Sequence, residues 1–214
     1  MRSFDYDPRS VACARELRRR YFAGDGRWSV EEGSVLDESY VASLGSYDVV
    51  YSWGVLHHTG QMWRALGNVT QLVREAGYLF IAIYNDMGEE SVAWRRRKKR
   101  YCSLPGALRA PYAAVSMLPY EFKDAARAIL SGRPQEYIRS WTHYAGHRGM
   151  SRWRDIVDWV GGYPYEVASV DEVLKFCQAR GFSAVRIERT GGLGCNEFVL
   201  RRAPGAEAWP MDNR

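Results

Sequence analysis

The segment that most constrains the fold is the apolar run YLFIAIY at residues 78–84. An uninterrupted apolar strand is typical of a parallel sheet that is covered on both faces. A β-branched run, YDVVYS at 47–52, precedes it and leads into a turn at Gly54. Between the two runs, apolar residues recur at helical spacing, and Gly77 stands where a glycine commonly ends a helix. These apolar residues are Met62, Leu66, Val69 and Val73. The region therefore predicts a strand–helix–strand unit of an α/β fold.

The N-terminal residues predict a second unit of the same kind. A short strand ends at Phe4, and Asp7 before Pro8 has the form of a helix N-cap followed by proline at the first helical position. The next strand is predicted at Trp28–Glu32. The helix between these strands is predicted to bury one face. That face consists of Val11, Ala14, Leu17 and Tyr21.

The C-terminal residues predict the end of the sheet. Ser169 and Glu172 form a capping-box pattern, which begins a helix that ends at Gly181. Strands are predicted at 183–189 and 197–202. The glycine-rich turn between them is too short for a parallel crossover, so this pair should be antiparallel. The sequence predicts an α/β fold with a doubly wound, mostly parallel sheet that is closed by a C-terminal antiparallel hairpin.

Residues 86–165 interrupt this alternation. They are rich in Arg, Tyr and Trp and predict a chiefly helical stretch. Prolines are expected to interrupt its helices, at Pro105, Pro111, Pro119 and Pro134. The sequence therefore predicts one domain over residues 1–202, with 86–165 as a helical insertion or lid, and a flexible tail at 203–214.

Composition narrows the class of protein. With 46% hydrophobic residues among 214, the chain can bury a sizeable core, and its formal charge of +5 favours anionic partners only weakly. There is no apolar run long enough to span a membrane, and the N-terminus lacks the apolar stretch of a signal peptide. Four scattered cysteines predict reduced thiols, a cytoplasmic location and no metal site. An aromatic content of 14% suggests either ring-lined pockets or a broad interface, and a broad interface would suit a homo-oligomer.

The ends of the predicted strands resemble class I S-adenosylmethionine (SAM)-dependent methyltransferases over most of the chain. The strings that carry the resemblance are FDYDP at 4–8, GSVLD at 33–37 and DVVYSWGVLHHTG at 48–60. The terminal hairpin also fits, because the sheet of that family ends in a reversed strand. A bacterial subgroup of small-molecule or glycan-associated methyltransferases is resembled by the later strings AIYND, RGMS, GGYPYE and GGLGCNEF. The resemblance implies SAM as the cofactor, a Rossmann-like fold and an acceptor of that class.

The resemblance also implies how the nucleoside part of SAM is bound. Asp5 matches the acid that holds the ribose hydroxyls, since one carboxylate accepts from both; the alternative is a solvated turn acid. Asp7 is better explained as a helix cap. Ser34 and Val35 match the turn that contacts adenine. Asp37 either replaces the family's acid in that turn or caps the next one.

Residues near the transferred methyl group follow the fourth and fifth strands of the family. His58 is the candidate general base and Tyr84 a second candidate catalytic residue, whereas His57 is expected to be packed structure. The residues that match those near the methionine part of SAM are Ser52, Trp53 and Gly54. For Trp53, the alternative is a ring packed in the core.

Candidate acceptor-binding residues lie at the start of the helical stretch and within it. Asn85 follows the apolar strand, where its ordinary role is to end a strand. His143 and His147 have the spacing of one helical face. That spacing also suits a metal ion, but the sequence offers no third ligand.

One departure from the family concerns its first strand. That strand ends in a glycine-rich loop about twenty residues before the ribose-binding acid, whereas four residues precede Asp5. The resemblance therefore implies that the first strand, which is central in the sheet, is absent. Three explanations compete: a fragment or wrong start codon, a truncated pseudo-enzyme, and completion by a partner. The first is favoured because the downstream site residues are intact in type.

The basic run at 95–100 bears on the acceptor. Its ordinary interpretation is a solvated helix, and its alternative is a surface for an anionic acceptor. The leading hypothesis is SAM-dependent methyl transfer to a small molecule or glycan. A non-catalytic binding module on a degenerate methyltransferase fold is the alternative from another class. An RNA-directed methyltransferase is less favoured, because the basic run is its only support.

Overall fold

The computed structural model describes residues 1–205, except for the side chains of residues 147 and 148. Most of the predicted tail at 203–214 thus lies outside the described residues. The chain divides into two compact units. One holds Met1–Asp86 together with the chain from Val167 onward, and the other is Met87–Glu166. The first unit contains all the strands of the described residues, and both units contain helices, as an α/β fold requires.

The first unit contains six strands and four helices in its described part. The strands are β1 (Arg2–Asp5), β2 (Ser29–Glu32), β3 (Tyr47–Trp53), β4 (Val73–Tyr84), β5 (Phe182–Glu188) and β6 (Cys195–Arg202). The helices are α1 (Pro8–Tyr21), α2 (Glu38–Ser43), α3 (Met62–Gln71) and α9 (Val170–Gln178). Two of their predicted N-caps are confirmed, since Asp7 accepts from the backbone of Arg9 and Ser169 forms a capping box with Glu172.

The strands form two sheets, which corrects the prediction of one mostly parallel sheet. β1 and β2 form a parallel pair, and the other strands follow the order β3-β4-β6-β5. β3 and β4 are parallel, whereas β6 lies between β4 and β5 and is antiparallel to both. The predicted antiparallel hairpin is therefore confirmed. Parallel pairings are not in the majority, because the reversed strand sits inside the sheet and contributes two antiparallel ones.

Gly77 does not end a helix as predicted. Helix α3 ends at Gln71, and Gly77 lies inside β4, where the pairing with β3 is irregular. A Cβ at Gly77 would lie 2.9 Å from the carbonyl oxygens of both Arg74 and Asp48. The glycine is thus required by a close backbone approach, and the left-handed residue at this turn is its neighbour Ala76, with φ of 58°.

The core lies on one face of the larger sheet. Val50, Leu79 and Ile81 of the sheet pack there with buried residues of the helices. The helical contributions include Val41 of α2, Leu66 and Val69 of α3, and Val173 of α9.

The opposite face of β3 is exposed. Val49, Tyr51 and Trp53 lie there with at least 45% of their surface exposed. Helix α1 is also partly uncovered, because its Val11 is buried while Leu17 and Tyr21 are exposed. The predicted buried face of α1 is therefore wrong in its second half.

The second unit is helical. Its helices are α4 (Glu89–Ser103), α5 (Gly106–Leu130), α6 (Pro134–Thr142), α7 (Tyr144–Arg148) and α8 (Arg152–Gly161). Pro105 and Pro134 stand at helix starts as breaking residues should, but Pro111 and Pro119 lie inside α5 rather than interrupting it. No helix among the described residues is both long and apolar enough to cross a membrane.

Candidate functional site

Asp5 ends β1 with an exposed carboxylate. Its Oδ1 accepts a hydrogen bond from the backbone N–H of Asp7 at 2.8 Å. Its backbone carbonyl accepts from Gly33 at 3.0 Å and thereby joins the ends of β1 and β2. Within the described residues, Oδ2 of Asp5 has no hydrogen bond or ion pair. The side chain therefore offers an uncommitted anionic acceptor at the carboxyl end of the strand.

The turn after β2 is bound by a hydrogen bond from a residue that the sequence analysis did not identify. Asn68 of α3 is buried, and its Nδ2 donates to the carbonyl oxygen of Val35 at 2.8 Å. Ser34 Oγ accepts from the backbone N–H of Leu36 at 3.1 Å. Asn68 could have been identified in the sequence because it is an amide among the apolar positions of an amphipathic helix. A polar group that is buried there needs a hydrogen-bond partner.

Asp37 caps a helix. Its carboxylate accepts from the hydroxyl of Ser39 at 2.6 Å and from the backbone N–H of Tyr40 at 3.0 Å. These hydrogen bonds, that of Ser39 first, hold the pKa of Asp37 below its ordinary value. Of its two predicted roles, the structure shows the capping role.

We expect Asn68→Ala to reduce the free energy of unfolding by about 1–3 kcal/mol, because it leaves the buried carbonyl of Val35 without its donor. The half-buried Gln71 on the same helix provides the matched control, and Gln71→Ala should change that free energy by less than about 0.5 kcal/mol. Urea unfolding followed by circular dichroism measures both. Equal losses in the two variants would contradict a specific role for the Asn68 hydrogen bond.

The end of β3 is open. Trp53 is 45% exposed, and its ring is stacked on that of Tyr51 with centroids 6.0 Å apart. Among the described residues, Trp53 is therefore not a packed core ring. Ser52 is half-buried beside it. Gly54 has φ of 72°, and among the described residues beyond its chain neighbours no atom lies within 4 Å of where its Cβ would be, so the backbone is accessible here.

Three rings cluster where β3 and β4 end. The ring of His57 lies 4.0 Å from that of Tyr84 and 4.6 Å from that of His58, centroid to centroid, and His58 lies 5.4 Å from Tyr84. His57 is fully buried, as expected of packed structure, whereas His58 and Tyr84 are half-buried. The structure thus brings the two candidate catalytic residues into edge-to-face contact, with His57 packed against both.

Asn85 is engaged by the β5–β6 hairpin. Its Oδ1 accepts from Asn196 at 3.0 Å, and its Nδ2 donates to the carbonyl of Gly192 at 3.2 Å. Asn196 is buried and was missed in the sequence, where it reads as an ordinary strand residue. The end of β4 is also joined to the returning chain, because Ala168 donates to the carbonyl of Tyr84 at 3.0 Å. This amide network fixes the strand end next to the rings.

The two histidines of the helical unit do not share a helix. Helix α6 ends at Thr142 and α7 begins at Tyr144, so exposed His143 stands at the junction, with its Nδ1 2.8 Å from Oγ1 of Thr142. The predicted helical face of His143 and His147 is therefore wrong, because the chain breaks its helix between them. The side chain of His147 lies outside the described part. The residues that the structure describes contain no group of three side chains suited to a metal ion.

The basic run of α4 is not uniformly solvated. Lys98 is fully buried, and its Nζ donates to the carbonyl oxygen of Trp159. The same Nζ lies 3.9 Å from the ring centroid of Trp159, 4.9 Å from that of Tyr165 and 5.7 Å from that of Trp94. Burial lowers the pKa of Lys98 from 10.5 to about 7, against the opposing charges of Asp158 and Cys102. Lys98 thus belongs to the interior of the helical unit.

Comparisons with known proteins show which fold the chain has. No family model matches the chain, and no curated protein matches it. Solved structures do match: PKMT2 from Rickettsia typhi aligns with a TM-score of 0.59 at 10% identity, covering 100% of this chain and 45% of that one.

Two further structures give the same result. An O-methyltransferase family protein from Burkholderia thailandensis aligns at TM-score 0.53 and 14% identity, over 95% of this chain and 44% of that one. Magnesium protoporphyrin IX methyltransferase from Synechocystis, solved with S-adenosylhomocysteine (SAH), aligns with a TM-score of 0.51 at 13% identity. The alignment covers 94% of this chain and 64% of that one. The chain thus spans about half the length of the structures that it resembles. Its fold is that of the class I SAM-dependent methyltransferases.

Proposed function

We propose that this protein transfers a methyl group from SAM to a small-molecule or glycan acceptor. The observation that carries the proposal is the set of groups at the carboxyl ends of β1 to β4 within one methyltransferase-like unit. Open α/β sheets bind their ligands at these ends. At these strand ends stand an uncommitted carboxylate, an accessible glycine and a cluster of ionisable rings, which are Asp5, Gly54 and His57–His58–Tyr84.

The residues at these ends fit SAM. The free oxygen of Asp5 suits a ribose hydroxyl, and the turn at Ser34 and Val35 suits the adenine edge. The open backbone at Gly54, with Ser52 and Trp53 beside it, would hold the methionine part. When bound, SAM supplies an electrophilic methyl group on a sulfonium centre.

The chain's own contribution is alignment and proton removal. His58, half-buried against Tyr84, is the candidate base for an acceptor hydroxyl or ammonium. His57, packed between the two rings, holds both in place. Two of the similar structures bear the names of an O-methyltransferase and of a porphyrin methyltransferase, which supports an acceptor of small-molecule type. Asn85 stays a candidate acceptor contact, and its amide also binds the hairpin.

We further propose that one more strand belongs between β1 and β3. Within residues 1–205, β1 pairs only with β2 and β3 only with β4, which leaves an unpaired edge on each. A strand between them would pair both edges and join the two sheets into one. The exposed face of Val49, Tyr51 and Trp53 supports a helix that accompanies this strand, because parallel sheets are covered on both faces.

Calorimetric titration of the 214-residue chain with SAH tests the proposal. Binding with a micromolar dissociation constant is the expected result. Circular dichroism of the same sample controls for folding. A folded chain that takes up no SAH at millimolar concentration would contradict the proposed cofactor and favour a non-catalytic module. Steeply salt-dependent binding to RNA without binding to SAH would favour a nucleic-acid partner instead.

A further inference from the structure

Helix α5 carries an apolar seam that none of the described residues of its unit covers. Its members recur every seven residues along the helix and are between 52 and 75% exposed. They are Leu108, Val115, Phe122 and Ile129, with Leu118 beside them. The buried side of the same helix is marked by Ala113 on the opposite face. Over its 22 residues, from Leu108 to Ile129, the seam is about 32 Å long.

The seven-residue spacing favours another helix as the partner. On a straight helix, positions seven apart drift by about 20° per repeat, so such a stripe stays in contact only with a helix that supercoils around it. A lipid-binding helix would instead border its apolar stripe with cations. Exposed Lys123 follows Phe122, but between the ends of the seam the positions four residues after or one residue before a residue of the seven-residue repeat carry a single charge. They are Tyr112, Ala114, Pro119, Glu121, Ala126 and Ala128.

The seam is complementary to itself. If a two-fold axis passes between Leu118 and Pro119, an antiparallel copy sets Leu108 against Ile129 and Val115 against Phe122. The large phenylalanine then meets the smaller valine, as interdigitating side chains require. One leucine of each copy, Leu118, meets its equivalent at the axis.

The charges of α5 do not oppose this pairing. Glu121, the charged residue among the flanking positions, is bound by Arg152 of its own unit at 2.8 Å. Asp124 lies off the seam and contacts both Arg127 at 3.5 Å and Arg152 at 3.6 Å. Like charges therefore do not meet across the seam, and an isologous pair satisfies both copies with one surface.

We propose that α5 is a dimer interface, in which two copies of this protein pair their α5 helices antiparallel through this seam. The proposal concerns the helical unit alone and is independent of the reaction proposed for the other unit.

Sedimentation of the 214-residue chain at about 10–100 μM tests the pairing, and a dimer is expected. Phe122→Glu should raise the dimer dissociation constant by at least about 30-fold, because two copies of the charge enter one apolar seam. Val115→Glu serves as the second variant, and Leu17→Glu, on exposed α1, as the matched control that stays dimeric. Helix content by circular dichroism should be unchanged, since all three side chains are exposed.

Disulfide crosslinking tests the direction of the pair. In a background with exposed Cys13 and Cys102 replaced by serine, Leu118→Cys should crosslink to its own copy. Leu108→Cys should crosslink only when mixed with Ile129→Cys. A monomer at every concentration, a dimer that survives Phe122→Glu, or a crosslink of Leu108→Cys with itself would each overturn the proposal. A monomer that binds phosphatidylglycerol vesicles through the same residues would also overturn it, in favour of a lipid surface.

Discussion

Replacing Asp5 with alanine is expected to weaken SAH binding by at least about 100-fold. The physical reason is that the ribose would lose two hydrogen bonds to a charged acceptor, each worth about 1.5–3 kcal/mol. Asp5 is exposed and uses one carboxylate oxygen for the backbone of Asp7, so its loss should disturb the fold little. Calorimetric titration of the wild-type and variant chains measures the change directly.

Asp7→Ala is the matched control for this prediction. Asp7 is two residues away and also exposed, but its carboxylate caps α1 through Arg9 and Ser10. Its replacement should cost about 0.5–2 kcal/mol of stability and leave SAH affinity within about threefold. If Asp5→Ala binds SAH as tightly as wild type, or if both variants lose affinity equally, Asp5 is not the ribose ligand.

Lys98→Met is expected to change the pH dependence of stability. In the unfolded chain the pKa of Lys98 has its ordinary value of 10.5, whereas burial lowers it to about 7 in the fold. Between these values the unfolded state binds more protons, so the stability of the wild-type chain rises with pH by about 1.4 kcal/mol per unit. Below about pH 7 both states hold the proton, and the full desolvation penalty is present.

The free energy of unfolding of Lys98→Met should therefore exceed that of the wild-type chain most at about pH 6. This difference should shrink by about 2–3 kcal/mol between pH 7 and pH 9. Urea unfolding at each pH measures it, and the difference between the two chains removes the titration of other groups. Exposed Lys99 supplies the control, since Lys99→Met should give a difference that does not vary with pH. A constant difference for Lys98→Met would show that its ammonium is not desolvated in the fold.

Local patterns predicted much of the fold because their causes are local. Asp7 before Pro8 and the Ser169–Glu172 pair satisfy the N–H groups at the starts of their own helices, so both caps are visible in a few residues of sequence. The short glycine-rich link at 191–194 forces an antiparallel hairpin whatever surrounds it. The strand at 78–84 could be predicted because it is apolar on both faces.

The errors arose where another segment decides the environment. Gly77 has the position of a helix cap in the sequence, but the carbonyl of Asp48 from a different strand is what excludes a side chain there. Trp53 is exposed rather than packed in a core, because its exposure depends on which helices cover the sheet, and its contact with SAM stays a prediction. Pro111 and Pro119 predicted breaks in a helix that is continuous.

For the candidate site, the sequence by itself determined the kinds of group at the strand ends: a carboxylate at Asp5, a flexible backbone at Gly54 and imidazoles at His57 and His58. Residue type and position relative to a strand suffice for that. Only the tertiary structure decided which of them meet. It packed His57 and His58 against Tyr84, bound Asn68 to the turn at Val35, and buried Lys98 within a run of cations of which most are exposed. The physical reason is that burial and contact depend on residues distant in the chain, which no local pattern contains.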